Sequence, residues 1–126
     1  MAIDRTTSLR KATGGRKDTY RKSRQYAKVN KPILTKIGTT KARENRTIGG
    51  GAKFKLIAVN KISVADPKKK TVTIADVKDV IENGANRNFI IRDIINKGAI
   101  LETSAGKVRV TSRPGQTGAL SGVIVE

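Results

Sequence analysis

Arg10-Lys11-Ala12-Thr13-Gly14-Gly15-Arg16-Lys17 sets four cations around two adjacent glycines. The chemistry such a stretch offers is oxyanion binding. Arginine forks onto phosphate oxygens, and glycine lets backbone N–H groups approach a phosphate with no Cβ in the way. A basic tail with no defined contact is the plainer reading, but glycines add nothing to a purely electrostatic tail. Arg10, Lys11, Thr13, Gly14, Gly15, Arg16 and Lys17 are therefore candidate contacts to a polyanion. Arg21, Lys22 and Arg24 follow among Tyr20 and Tyr26, whose rings suit stacking on a base or a guanidinium. Four aromatics in the whole chain are too few for a base-stacking platform. Shape and backbone are what such a chain is equipped to read.

Gly49-Gly50-Gly51-Ala52-Lys53 invites comparison with a nucleotide-binding loop. That loop needs Lys followed by Ser or Thr, between a strand and a helix. Here Phe54 follows Lys53, and β-type sequence follows the glycines. We expect instead a hinge lying close to a nucleic-acid backbone, with Gly49, Gly50 and Lys53 as contacts. Further on, Lys107, Arg109, Thr111 and Arg113 alternate with Val108, Val110 and Ser112. Side chains two apart share a strand face, so the apolar pair marks the inside. The basic face fits an RNA-binding stripe and an ordinary solvated face equally well. Asp76, Asp79 and Glu82 are spaced at three, near Lys78. The chain has no histidine and no cysteine, so this spacing reads as surface charge rather than an acid–base pair. Thiol nucleophiles, disulfides and Cys/His metal sites are excluded outright. No metal, cofactor or small-molecule substrate is expected.

The elements that must position these residues divide sharply by composition. Up to Lys55 the chain holds 16 of its 27 Lys and Arg and three of its ten Asp and Glu, so +13 of the net +17 lies there. Large apolar residues are sparse over the same span. Such a segment cannot bury enough apolar surface to offset the entropy of ordering itself. A dense polyanion is the partner that fits, because each neutralised phosphate releases condensed counterions. We therefore expect a long basic irregular N-terminal arm over residues 1–52, ordered only on its partner, with a short helix near 18–27. No apolar run approaches the roughly 20 residues of a membrane-spanning helix, and no secretory leader is expected.

Residues 53–126 hold 24 Ile, Val, Leu or Phe, of which 19 are β-branched Ile or Val. Those side chains favour strands. Residues 54–59, 61–65 and 71–74 read as strands, the last two joined as a hairpin through Asp66-Pro67-Lys68-Lys69-Lys70. Val77, Val80 and Ile81 fit a helical face or a strand with a bulge near Asp76, and the β-branched residues of Val72 to Ile81 favour the strand. Ile90, Ile91, Ile94 and Ile95 suit a short helix, capped by Asn86 or Asn88 and followed by Gly98. Residues 99–103 and 107–112 flank a three-residue Ser104-Ala105-Gly106 loop. Pro114-Gly115 is a turn and 119–125 a last strand, while Phe54 and Phe89 read as core. The predicted body over 53–126 is mostly β: a small curled or closed β-barrel with one short helix.

Several stretches, taken in order, resemble the archaeal and eukaryotic small-subunit ribosomal protein S8e family. They are Arg10 to Arg16, Lys36-Ile37-Gly38 leading to Arg46 and Gly49-Gly50, and Lys53-Phe54-Lys55-Leu56. Glu82 to Arg87, Lys97 to Ile100 and Val110 to Gln116 extend the likeness over essentially the whole chain. The length resembles the archaeal form. Ile48 stands where the family usually has Arg, and Gly51 where it usually has Asn. The resemblance implies a β-barrel body, a basic extension buried in small-subunit rRNA, neighbouring small-subunit ribosomal proteins as partners, a cytoplasmic location and no catalysis. Lys36, Arg46, Lys55 and Arg87 lie in those stretches, and with Lys41 and Arg43 of the basic arm they join the candidate RNA contacts. The rival reading is an architectural protein that coats nucleic acid without a fixed site. Punctuated glycines with mixed Arg and Lys favour a unique folded RNA surface over simple coating.

Overall fold

A computed structural model describes residues 3–4, 8–18, 24, 26, 28–29 and 32–125. The chain forms two compact units, Met1–Pro32 and Ile33–Glu126. In the first, β1 (Ile3–Asp4) pairs antiparallel with β2 (Lys28–Val29). A tight loop between them is closed by an isolated antiparallel bridge from Arg10 to Arg16. Most of the helix expected over 18–27 lies outside the described residues.

The second unit begins twenty residues before the composition break. β3 (Thr35–Ile37) and β4 (Lys41–Arg46) both pair with β5 (Ala52–Val59). Residues 33–52 are thus not an irregular arm. β4 is almost wholly exposed. It buries no apolar face, so it leaves no periodicity in the sequence. Backbone hydrogen bonding to β5 is what makes it a strand. Thr35 is buried, and its Oγ1 donates to the Leu56 carbonyl at 2.8 Å, tying β3 to β5.

A closed five-stranded barrel carries the core. β6 (Lys61–Asp66) and β7 (Thr71–Glu82) form the expected hairpin. Asp66 Oδ1 accepts from the Lys68 N–H at 2.9 Å and so fixes the bend. β9 (Ile100–Thr103) and β10 (Gly106–Val110) follow, and β11 (Ser121–Ile124) closes the ring by pairing antiparallel with β10 and parallel with β6. Gly106 pairs with Thr103, so two residues rather than three connect β9 to β10. Ile62, Val64, Leu101, Val108 and Val110 fill the interior. The ring is tight: a Cβ on Gly122 would lie 2.5 Å from Val108 Cγ1 and 2.7 Å from the Arg109 carbonyl oxygen.

The isoleucine-rich stretch splits instead of forming one helix. Helix α1 covers only Asn88–Ile91, and Asp93 turns left-handed at φ +52°. Ile94–Ile95 then form β8, buried and antiparallel to β3. The spacing of four residues was compatible with a helix, but β-branched side chains gain more on a buried sheet. Asn86 caps nothing at the helix start itself; its Oδ1 accepts from the Asn88 N–H at 2.9 Å in a local turn. Pro114–Thr117 form a second short helix, α2, where a turn was expected. Asn83 ties two elements together. It is buried, and its Nδ2 donates to the Ile94 carbonyl at 3.2 Å, joining the end of β7 to β8.

Candidate nucleic-acid interface

The Thr-Gly-Gly stretch builds its own shape from short-range hydrogen bonds. The Lys11 N–H donates to Gly15 O at 2.8 Å, Gly14 N–H to Lys11 O at 2.9 Å and Lys17 N–H to Leu9 O at 2.9 Å. Gly14 sits at φ +82°, a conformation that costs glycine nothing. The Arg10 guanidinium turns back, its Nη1 donating to Gly14 O at 3.0 Å. Arg10 therefore braces the loop, while Lys11, Arg16 and Lys17 stand exposed around it together with Thr13 and Gly15. Arg24 is exposed as well; Arg21 and Lys22 lie outside the described residues, as does Tyr20.

The second cluster lies on the sheet ordered β4-β5-β3-β8. Lys36 on β3 and Lys41 on β4 both stand in register with Ala58 of β5, from its two sides. Arg43 stands directly opposite Lys55, Asn45 opposite Lys53 and Arg46 opposite Ala52. Six cations thus occupy three neighbouring strands, with Glu44 the single acid on them. Like charges opposed across a ladder destabilise the pair in water, and an anion laid over them removes that penalty.

Gly49 and Gly50 are not a hinge. They form the turn of the β4–β5 hairpin, at φ +86° and +81°. The Thr47 N–H and Oγ1 both donate to Gly51 O, at 2.7 and 2.9 Å, and close the turn. Two apolar residues missed as surface features belong to this hairpin. Ile48 is fully exposed at its tip, and Phe54 is half-exposed rather than core. Phe54 runs beside α2, where a Cβ on Gly118 would lie 2.7 Å from Phe54 Cβ. The signal for the turn was present: three glycines between two cation-rich stretches read as a hairpin as readily as a hinge.

The barrel stripe is weaker than its alternation implied. Lys107 and Arg109 are exposed and Val108 and Val110 buried. Lys107, however, stands opposite Glu102, which stands opposite Asp79. Two register shifts in β7, between Val77 and Asp79 and between Val80 and Glu82, explain the carboxylate spacing. The bulges leave Asp76, Asp79 and Glu82 all exposed while Val77 and Val80 stay inside. Arg113 lies past the end of β10, at the start of α2, and Arg87 at the start of α1. Neither joins a basic cluster on a shared strand. Among the described residues no group of His, Cys, Asp or Glu is arranged to hold a metal ion, and no helix is long and apolar enough to cross a membrane.

These features define a small β-barrel protein whose cations are gathered on elements outside the barrel wall. The chain matches the profile of the ribosomal protein S8e family over residues 4–125, and it belongs to that family. It is 40% identical over 125 residues to small ribosomal subunit protein eS8 of Methanobrevibacter smithii, covering 99% of this chain and 100% of that protein. The protein of the same name from Haloquadratum walsbyi is 41% identical over 123 residues, covering 98% and 97%. That from Picrophilus torridus is 34% identical over 125 residues, covering 99% and 100%. Membership of a family of ribosomal constituents, rather than any missing side chain, is what argues against catalysis.

Proposed function

We propose that this protein is a structural constituent of the small ribosomal subunit, located in the cytoplasm, that binds and stabilises small-subunit rRNA. The observation that carries the reading is the gathering of cations on two self-supporting elements, the Arg10–Lys17 loop and the β3–β5 sheet. Lys11, Arg16 and Lys17 present charge on a loop whose backbone is already fixed. Arg43, Lys53 and Lys55 present it on one face of the β4–β5 ladder, where Arg43 and Lys55 stand directly opposed, and Lys36, Lys41 and Arg46 flank it on β3 and β4. The basic sheet, more than the Lys107–Arg109 stripe, is the body's RNA face. A coating protein has no need of either shape.

The outer wall of the barrel offers a different surface. Val72 and Ile74 of β7 are exposed, Val72 stands in register with Ala65 of β6, and Ala65 with Val123 of β11. An apolar face of this kind suits a neighbouring small-subunit protein rather than phosphate. The test of the main reading is sedimentation of a gently lysed extract. The chain should travel with small subunits at low salt and leave them as salt rises, because each phosphate contact adds about 0.7–0.9 to the slope of log affinity against log salt. Migration as free protein in intact low-salt lysate would overturn it.

A further inference from the structure

The tip of the β4–β5 hairpin combines features that the fold does not need. Ile48 has a relative exposure of 103%, so its side chain contributes no packing. Its position is nevertheless fixed. Thr47 closes the turn through two hydrogen bonds to Gly51 O, and Gly49 and Gly50 complete it in left-handed conformations. Only Ile48, Gly49 and Gly50 lie beyond that closure. A β-branched side chain is thereby held at the apex, with no neighbouring side chain on its glycine flank. Beneath it run Arg46 and Lys53, then Arg43 opposite Lys55.

We propose that this hairpin is an RNA-contacting finger in which Ile48 packs on the face of an unpaired rRNA base while the cations below hold the flanking backbone. The proposal rests on the rRNA reading above and specifies how that face works. Scattered exposed aliphatics need no explanation, but this one caps a cationic ribbon. A base surrounded by phosphates offers an apolar face inside an anionic frame, which is the complement of an apolar tip on a basic stem. An apolar protein patch would instead require the ribbon's cations to be desolvated with no anion to meet them. The base is unpaired because an A-form duplex stacks its base faces and narrows its major groove, whereas loops and bulges splay their bases out.

The experiment uses the full chain and the full-length small-subunit rRNA transcript, with affinity measured across a salt series and base reactivity read by chemical probing. Ile48→Ser should weaken binding about five-fold, as expected for losing a partly buried aliphatic side chain, and leave the salt slope unchanged. Ile48→Leu should keep most of the affinity. Lys53→Gln should lower the slope by about 0.7–0.9. The wild type should protect an unpaired base that Ile48→Ser leaves reactive. An unchanged unfolding midpoint for Ile48→Ser shows that the fold is intact. Equal affinity of Ile48→Ser and wild type overturns the proposal while sparing the rRNA reading. So does an Ile48→Ser variant that binds rRNA normally yet fails to enter assembled subunits, which would assign the tip to a protein neighbour. A wild type that prefers this transcript no more than a transfer RNA competitor overturns both.

Discussion

The barrel and the β3–β5 sheet belong to one compact unit, yet their residues answer to different constraints. Along β10 the barrel alternates exposed Lys107 and Arg109 with fully buried Val108 and Val110. Its outward charges are mixed, with Glu102 between Lys107 and Asp79. The sheet inverts this economy. β4 buries almost nothing, its charges are nearly all positive, and Arg43 faces Lys55 across the ladder. The barrel is organised by what it hides and β4 by what it displays, while β5 joins them, with Leu56 and Val59 in the core and Lys53 and Lys55 nearer the hairpin turn. On the proposed function, stability and partner recognition are therefore largely separate.

The strongest way to break that separation is to cut the barrel core. Leu101 is fully buried in it, and Leu101→Ala should cost about 2–5 kcal/mol through lost burial and a residual cavity. Denaturant unfolding should show the loss, while rRNA affinity per folded molecule stays near that of the wild type. A large loss of affinity in the folded fraction would mean that the two regions are coupled.

The converse change removes the sheet's charge. Arg43→Gln, Lys53→Gln and Lys55→Gln together should reduce rRNA affinity roughly a hundredfold near 0.15 M salt and lower the salt slope by about 2–3. Stability should hold or rise slightly, since relieving a directly opposed like-charge pair is worth about 0.2–1 kcal/mol. Thermal unfolding and binding across salt, measured on the same samples, test both halves. A triple variant that unfolds much earlier would show the cations to be structural.

A finer comparison lies within the Arg10–Lys17 loop. Gly14→Ala keeps the net charge but places a Cβ at φ +82°, whereas a Cβ on Gly15 meets only Thr13 Oγ1 at 3.7 Å. Gly14→Ala should therefore weaken rRNA binding by about 1 kcal/mol through loop strain, and Gly15→Ala should lie within about 0.5 kcal/mol of wild type. Affinities to one rRNA fragment decide the matter. Equal values for all three proteins would mean that the loop acts through charge alone.

How much of this was legible follows the same division. Residues 61–65 and 71–74 were readable as a hairpin because alternation and an Asp-Pro turn agree. A small curled or closed barrel was readable because 19 Ile and Val crowd residues 53–126. A bulge in β7 was legible near Asp76, but only pairing with β9 sets two register shifts, between Val77 and Asp79 and between Val80 and Glu82. Ile94 and Ile95 misled because their spacing suits a helix, and only the partner β3 made strand pairing the better use of them. Phe54 looked like core because aromatics usually are, but its position on β5, paired with exposed Glu44 of β4, leaves it half in water.

The sequence by itself determined where the charge lies. Charge is additive and survives without coordinates, so the +13 in the first 55 residues, and the expectation of a polyanion that follows from it, hold whatever the fold. It also determined the barrel's inward faces, since burial imposes a period that can be read. Tertiary structure alone decided which cations become neighbours. β4 is held by backbone hydrogen bonds that carry no side-chain signature, and its register against β5 sets Arg43 beside Lys55 and lifts Ile48 to a tip. A strand that buries nothing is silent in the sequence, because the physical cause of its position lies in the strand it pairs with.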